Sequence, residues 1–201
     1  MPPLTLDDLI SLEVYLAQRG QHAAAQARYL DRYRRVRIGP RLTLTFENRQ
    51  TLWFRIHELL RVARLSDRLR VQHELDLYNR LLPSRGRLQA ALQIDIPEGP
   101  SSTEQMRFWR DFPESMLRIQ CGTDVCLARF VTCRPEDSCF GTAHWVEFAL
   151  DSGCRAALAD RRKTASMIAN HRDYSHQSGL SETVRQSLLD DLALSDRDRA
   201  A

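Results

Sequence analysis

The stretch NRLLPSRGRLQAALQIDIP, residues 79–97, is where the chain changes its period. Up to Leu82 the apolar residues recur at helical spacing. After Pro83 they alternate, placing Leu88, Ala90, Leu92, Ile94 and Ile96 on one side of an extended run. Proline stops the helix because it lacks an N–H donor and its ring collides with the preceding turn. Helices before this point and strands after it predict an α+β fold, with N-terminal helices and a helical hairpin packed on a mostly antiparallel sheet.

Working upstream, HELDLYNRLL belongs to a helix over about 68–82, preceded by another over about 50–65. The link near Ser66 and Asp67 is short, which favours an antiparallel hairpin. VRIGPRLTLTFEN, residues 36–48, alternates Val36, Ile38, Leu42, Leu44 and Phe46 across a Gly-Pro break and reads as two strands or one kinked strand. TLDDLISLEVYLAQ opens on Thr5 as a helix cap, with Leu9, Leu12 and Leu16 at helical spacing and Gly20 as its end. A second helix follows through HAAAQARYLDRYRR.

Downstream, MLRIQC, VCLARFVTC, AHWVEFAL and TASMIANH are strand candidates. STEQMRFWRDF, GCRAALAD and LSETVRQSLLDDLAL, with Ser181 as a cap, are helical. The pattern predicts one domain over residues 1–195, with a helical lobe over 1–85, a sheet lobe over 86–195 and a loose tail at 196–201.

Composition excludes several classes. A hydrophobic fraction of 43% fits a globular chain, and no run approaches the roughly 18 apolar residues of a membrane span. MPPLTLDDLISLEVYL begins with acids and lacks a basic leader region, so a cytoplasmic protein is expected. Residues 19–70 carry 13 arginines against 4 acids. A basic segment is compatible with nucleic acid. Yet 28 arginines to a single lysine, Lys163, reads as a codon bias, and no helix-turn-helix, zinc finger or RNA-binding strand is present. The five cysteines, at 121, 126, 133, 139 and 154, contain no C-x-x-C. CGTDVC reads as a hairpin with Thr123-Asp124 at its tip, which would set Cys121 opposite Cys126.

Two carboxylates stand out. With about 100° per residue, Glu58 falls between Phe54, Val62 and Leu65, and Glu74 falls among Val71, Leu75, Tyr78 and Leu82. Both HEL tripeptides, 57–59 and 73–75, turn the histidine outward and the glutamate inward. A bare buried carboxylate must find a partner or take a proton. Arginine is one partner, from Arg61 or Arg55 at three residues' distance or from Arg35 and Arg37. A metal ion, iron or manganese, is another, although neither helix has the Glu-x-x-His of helical di-metal sites. A ligand for which Glu58 or Glu74 acts as acid or base is the third. His144, in line with Val146 and Phe148, and His171, in line with Met167 and Ala169, are the nitrogens a strand could add. Glu58, Glu74, His144 and His171 are therefore the candidate metal ligands. The chain has no G-x-G-x-x-G, P-loop, H-E-x-x-H or G-x-S-x-G.

IGPRLTLTFENRQTLWFRIHELLRVARL, followed by HELDLYNRLLP, resembles the uncharacterised bacterial family called domain of unknown function 3501. LTLDDLISLEVY, HWVEFAL and ANHRDYSH…VRQSLLDDL resemble it too, so the likeness spans nearly the whole chain. Phe46, Glu47, Glu58, Leu60, Arg61, Arg64, Glu74, Leu75, Tyr78, Asn79, His144, Phe148, His171 and Tyr174 fit the family's pattern. Among them Arg61, Arg64, Tyr78, Asn79 and Tyr174 are the candidate binding residues. The chain departs from the pattern at His57, where glutamine is expected, and at His73 and Ala63, where glutamates are expected. The cysteines lie outside the pattern.

The resemblance implies a gene neighbourhood of rubrerythrin-like di-iron proteins and iron–sulfur oxidoreductases, hence a role near peroxide or iron redox chemistry. The leading expectation is an accessory protein that docks a rubrerythrin-like or iron–sulfur partner through its arginine-rich helical half, with homo-oligomerisation as a further expectation. The alternatives are a metal-dependent redox enzyme using Glu58 and Glu74, and a nucleic-acid-binding regulator using residues 19–70.

Overall fold

The computed structural model describes residues 1–110, 114–131 and 143–197. Cys133 and Cys139 fall outside these residues, as do the end of the VCLARFVTC strand and the last residues of the tail. The fold is α+β, with six α-helices and eight strands among the described residues.

The chain opens with a 3-10 turn (Leu6–Asp8) and enters α1 (Leu12–Tyr33) through Ser11, whose side chain accepts from the Val14 N–H. The expected break at Gly20 does not occur. A glycine inside a helix costs only about 1 kcal/mol, and 22 residues of otherwise helix-compatible sequence carry α1 through it. Next come β1 (Arg35–Ile38) and β2 (Leu42–Phe46), then α2 (Arg49–Ala63) and α3 (Arg68–Asn79). Asn48 caps α2 and Asp67 caps α3, each side chain accepting from a backbone N–H of the first turn. Helix α3 stops four residues before Pro83.

The remaining elements are β3 (Arg87–Ile94), α4 (Ser102–Arg110), β4 (Leu117–Cys121), β5 (Asp124–Val131), β6 (Ala143–Ala149), α5 (Ser152–Ala159), β7 (Ala165–His171), β8 (Tyr174–Gly179) and α6 (Glu182–Arg197). Strand β8, YSHQSG, was not expected from its polar sequence. It pairs with β7 through six residues, and its alternate side chains are exposed.

All pairings are antiparallel, in the order β1-β2-β3-β6-β5-β4-β7-β8. The register aligns Val36, Leu44, Leu92 and His144 across the first four strands, and Cys126, Ile119 and Met167 across the next three. These positions line one face and form the main core with Phe46, Phe148, Leu158 and Leu188. The CGTDVC hairpin turns at Gly122-Thr123, which pairs Cys121 with Asp124 and Cys126 with Ile119. The two cysteines are therefore not opposite one another. Burial pushes the Cys126 thiol up to about 12, which keeps it an apolar core group.

The two ends of the sheet approach each other, so the sheet is nearly a barrel. The Tyr174 hydroxyl donates to the Ile38 carbonyl and accepts from the Arg41 N–H at 3.3 Å. Gly39 sits at that seam with φ +66°, and a Cβ there would lie 2.5 Å from the His176 ring. Only glycine satisfies both conditions. A second core joins Leu4, Leu52, Ile56, Leu60, Val71, Leu75, Leu81 and Leu82, with Trp145 of β6 packed against it.

Candidate functional site: a polar-ended groove between the first helices

Because α1 is unbroken, Tyr15, Arg19, His22, Gln26 and Leu30 fall at spacings of four, three, four and four and share one stripe. Thr51, Arg55, Glu58 and Val62 form the matching stripe on α2. The two stripes face each other across a groove of about 440 Å³, whose lining also takes in Phe54, Leu59 and Tyr78 of α3.

Glu58 anchors one side. Its Oε1 accepts from the Tyr15 hydroxyl at 2.8 Å and from Arg19 Nε at 2.8 Å. Its Oε2 accepts from Arg19 Nη2 at 3.0 Å and from Arg61 Nε and Nη2 at 3.2 and 2.9 Å. The Arg19 and Arg61 guanidinium groups, with the Tyr15 hydroxyl, hold the carboxyl down to about 2 despite partial burial. Arginine, one of the partners open to it in sequence, is in place, and Arg61 is the one named from local spacing. A metal ion there would have to displace both guanidinium groups, since the five donors already fill the roughly four lone-pair positions of a carboxylate.

Glu47, at the end of β2, supplies a second acid–arginine pair. Its side chain is fully buried and accepts from the Thr51 hydroxyl and from Arg55 Nε at 2.8 Å, with Arg55 Nη2 at 2.7 Å. The Arg55 guanidinium also lies 5.1 Å from the Trp145 ring centre. The pair sits under the groove, and Arg55 reaches into it.

His57 departs from expectation. It is 2% exposed instead of turned outward, wedged 4.1 Å from Trp53 and 4.8 Å from Tyr15 between ring centres. Its Nε2 accepts from the Ile10 N–H at 3.3 Å, so Nδ1 carries the proton and donates to the Trp53 carbonyl at 2.7 Å. Burial lowers its proton affinity. Its spacing sets it in the polar stripe with Arg61 and Arg64, and the N-terminal segment folded over α2 covers that part of the stripe. His73 is exposed, as expected.

The other named residues serve different places. Val62 is 68% exposed, so the arc around Glu58 is only half a buried face. Glu74 is half-buried on α3 and is not among the partners of Glu58. His144 and His171 are buried on the inner face of the sheet, and His171 Nε2 bonds the Phe108 carbonyl at 2.7 Å. The structure does not gather Glu58, Glu74, His144 and His171: no group of three or more His, Cys, Asp or Glu among the described residues is arranged to hold a metal ion. Asn79 clamps the N-terminal segment, accepting from the Leu4 N–H at 2.8 Å and donating to the Leu4 carbonyl at 2.9 Å. Tyr174 holds the sheet seam. Arg64 is exposed in the left-handed conformation at the end of α2, and Tyr78 lines the groove.

Tyr15, Arg19 and Gln26 were not identified in sequence. The signal was their 4-3-4 spacing, which a break at Gly20 would have erased.

No curated protein matches the chain. Among solved structures it is similar to a crystal structure of a novel protein of unknown function from Burkholderia pseudomallei. The two share 28% identity with a TM-score of 0.84, over 95% of this chain and 100% of that one. The match extends to the sequence family across residues 3–192, and the chain belongs to the family described as protein of unknown function (DUF3501).

Proposed function

We propose that the protein is a cytoplasmic accessory factor of a rubrerythrin-like or iron–sulfur redox system, docking an acidic face of its partner through the corner between α2 and α3. In this reading the α2–α3 hairpin lies on the outer face of the sheet through Trp145, and iron or manganese is the partner's metal. The observation that carries it is the composition of the corner. Leu69 is 82% exposed and Val62 68% exposed, and around them Arg64, Arg68 and Arg70 are all exposed. The one acid among residues 62–70, Asp67, is engaged in capping, its Oδ1 accepting from the Arg70 N–H at 2.9 Å. Large aliphatic groups left in water and ringed by arginine are the composition of a contact surface, and the charge selects an acidic partner.

The test is direct binding to the purified products of neighbouring di-iron and iron–sulfur genes, repeated at rising salt. The reading expects a micromolar complex, weakened about tenfold or more by Arg64→Glu with Arg68→Glu, and lost further with Leu69→Ser. Absence of a complex at micromolar concentration, a complex indifferent to these substitutions, or tighter binding to duplex DNA through the same corner would overturn it.

A further inference from the structure

The groove between α1 and α2 has a feature its walls leave unexplained. Gln26 is 7% exposed and lines the groove, yet its amide makes no hydrogen bond to another described residue. An amide that no wall residue meets is satisfied by whatever fills the groove, water or a ligand. On the facing helix, Arg55 spends Nε and Nη2 on Glu47 while Nη1 bonds no described residue. Two sets of donors therefore open into one cavity. Beside them the lining is apolar: Leu30, Phe54 and Leu59.

We infer that this groove is a binding site for a small carboxylate with an apolar body, the carboxylate taken by the Gln26 amide and Arg55 Nη1 and the body laid along Leu30, Phe54 and Leu59. The charge balance favours an anion. Arg19, Arg55 and Arg61 outnumber Glu47 and Glu58 by one, and both acids are already paired. A cation would find no unshared carboxylate at Glu58. A volume of about 440 Å³ lies in the range of small-molecule pockets, and arginine with an amide is a matched receptor for a carboxylate. The site meets the α2–α3 corner only at Val62, and the residues changed in its test, Gln26 and Leu30, lie on α1 away from that corner, so the test does not depend on a docking partner.

The experiment titrates the full chain with octanoate and 3-phenylpropionate, and with the alcohols of the same carbon skeletons, following amide chemical shifts and thermal stability. A carboxylate is expected to saturate at millimolar concentration or below, to bind about tenfold tighter than its alcohol, and to shift amides of α1 and α2 around Gln26, Leu30, Arg55 and Leu59. Gln26→Leu is expected to weaken binding about tenfold, and Leu30→Trp, which fills the groove, to abolish it. No saturation by about 10 mM, equal binding of the alcohols, or indifference to Gln26→Leu would overturn the assignment. So would shifts confined to the separate apolar cavity around Leu9, Leu60 and Val71.

Discussion

Glu47 and Glu58 are both held by arginine against helix α2, and they are held in opposite ways. Glu47 is fully buried and depends on one cation, Arg55, plus a threonine hydroxyl. Glu58 is 21% exposed and draws five hydrogen bonds from Arg19, Arg61 and Tyr15. The first charge survives in the interior because one guanidinium, itself reaching the groove, bonds it through two nitrogens. The second survives at the rim because several partners share it, and loss of any one can be covered by water. An interior pair is a weak source of net stability but a dangerous one to break; a rim cluster contributes modestly and is more forgiving when one member is lost.

Breaking the interior pair gives the largest effect. Arg55→Met keeps much of the side-chain volume and leaves Glu47 without its cation, and is expected to cost about 3–5 kcal/mol in urea unfolding. A loss no larger than that for Glu58→Gln would erase the distinction between the two sites.

Glu58→Gln should cost less, about 2 kcal/mol at neutral pH, and its cost should depend on pH. The folded carboxyl is held at about 2 against an ordinary value near 4.5. Its contribution is therefore complete above about pH 4.5 and fades as the pH falls toward 2, as the native carboxylate takes up its proton. Unfolding free energies of the two proteins should converge over that window. A difference that stayed constant down to pH 2.5 would show that shape, and not charge, is what Glu58 supplies.

The contrast also marks what the sequence could reveal. Alternation of apolar residues gave away β2 to β7; burial follows it cleanly in β4 and over most of β5, whereas β7 is buried at five consecutive positions and both faces of β2, β3 and β6 hold buried side chains. It could not give β8, where Tyr174 is the one buried side chain and the rest of YSHQSG has no apolar pattern. Glu58 was legible as an acid out of place, and Arg61 as its neighbour three residues on. Tyr15 and Arg19 were not, since they lie 43 and 39 residues away and meet Glu58 only because α1 stays whole through Gly20. Glu47 carried no periodic signal of its own at the end of a strand, and only the family likeness brought it forward. The wheel also treated Val62 as core. A helix with two partners has two buried arcs, and the wheel cannot say which residues fall in the exposed gap between them.

His57 shows a third way of keeping an ionisable group inside the same helix, by remaining neutral, and supplies the smallest expected effect. Burial depresses its proton affinity below the ordinary value of 6.5, with nearby His22 adding to the effect, while the bond from Nδ1 to the Trp53 carbonyl opposes it. The unfolded chain takes a proton near pH 6.5 that the folded chain resists. His57 therefore leaves stability untouched above that pH and erodes it as the pH falls below. Glutamine offers an amide donor and acceptor in place of the two ring nitrogens, and it does not titrate. His57→Gln should cost no more than about 1 kcal/mol at pH 7.5, from lost contact with Trp53 and Tyr15, and should flatten the fall in stability between pH 7 and 5. Urea unfolding of both proteins at those pH values decides it. If the variant loses as much stability on acidification as the parent, the proton responsible belongs elsewhere, and neutrality at position 57 is not what lets this helix pack its aromatic side against Tyr15.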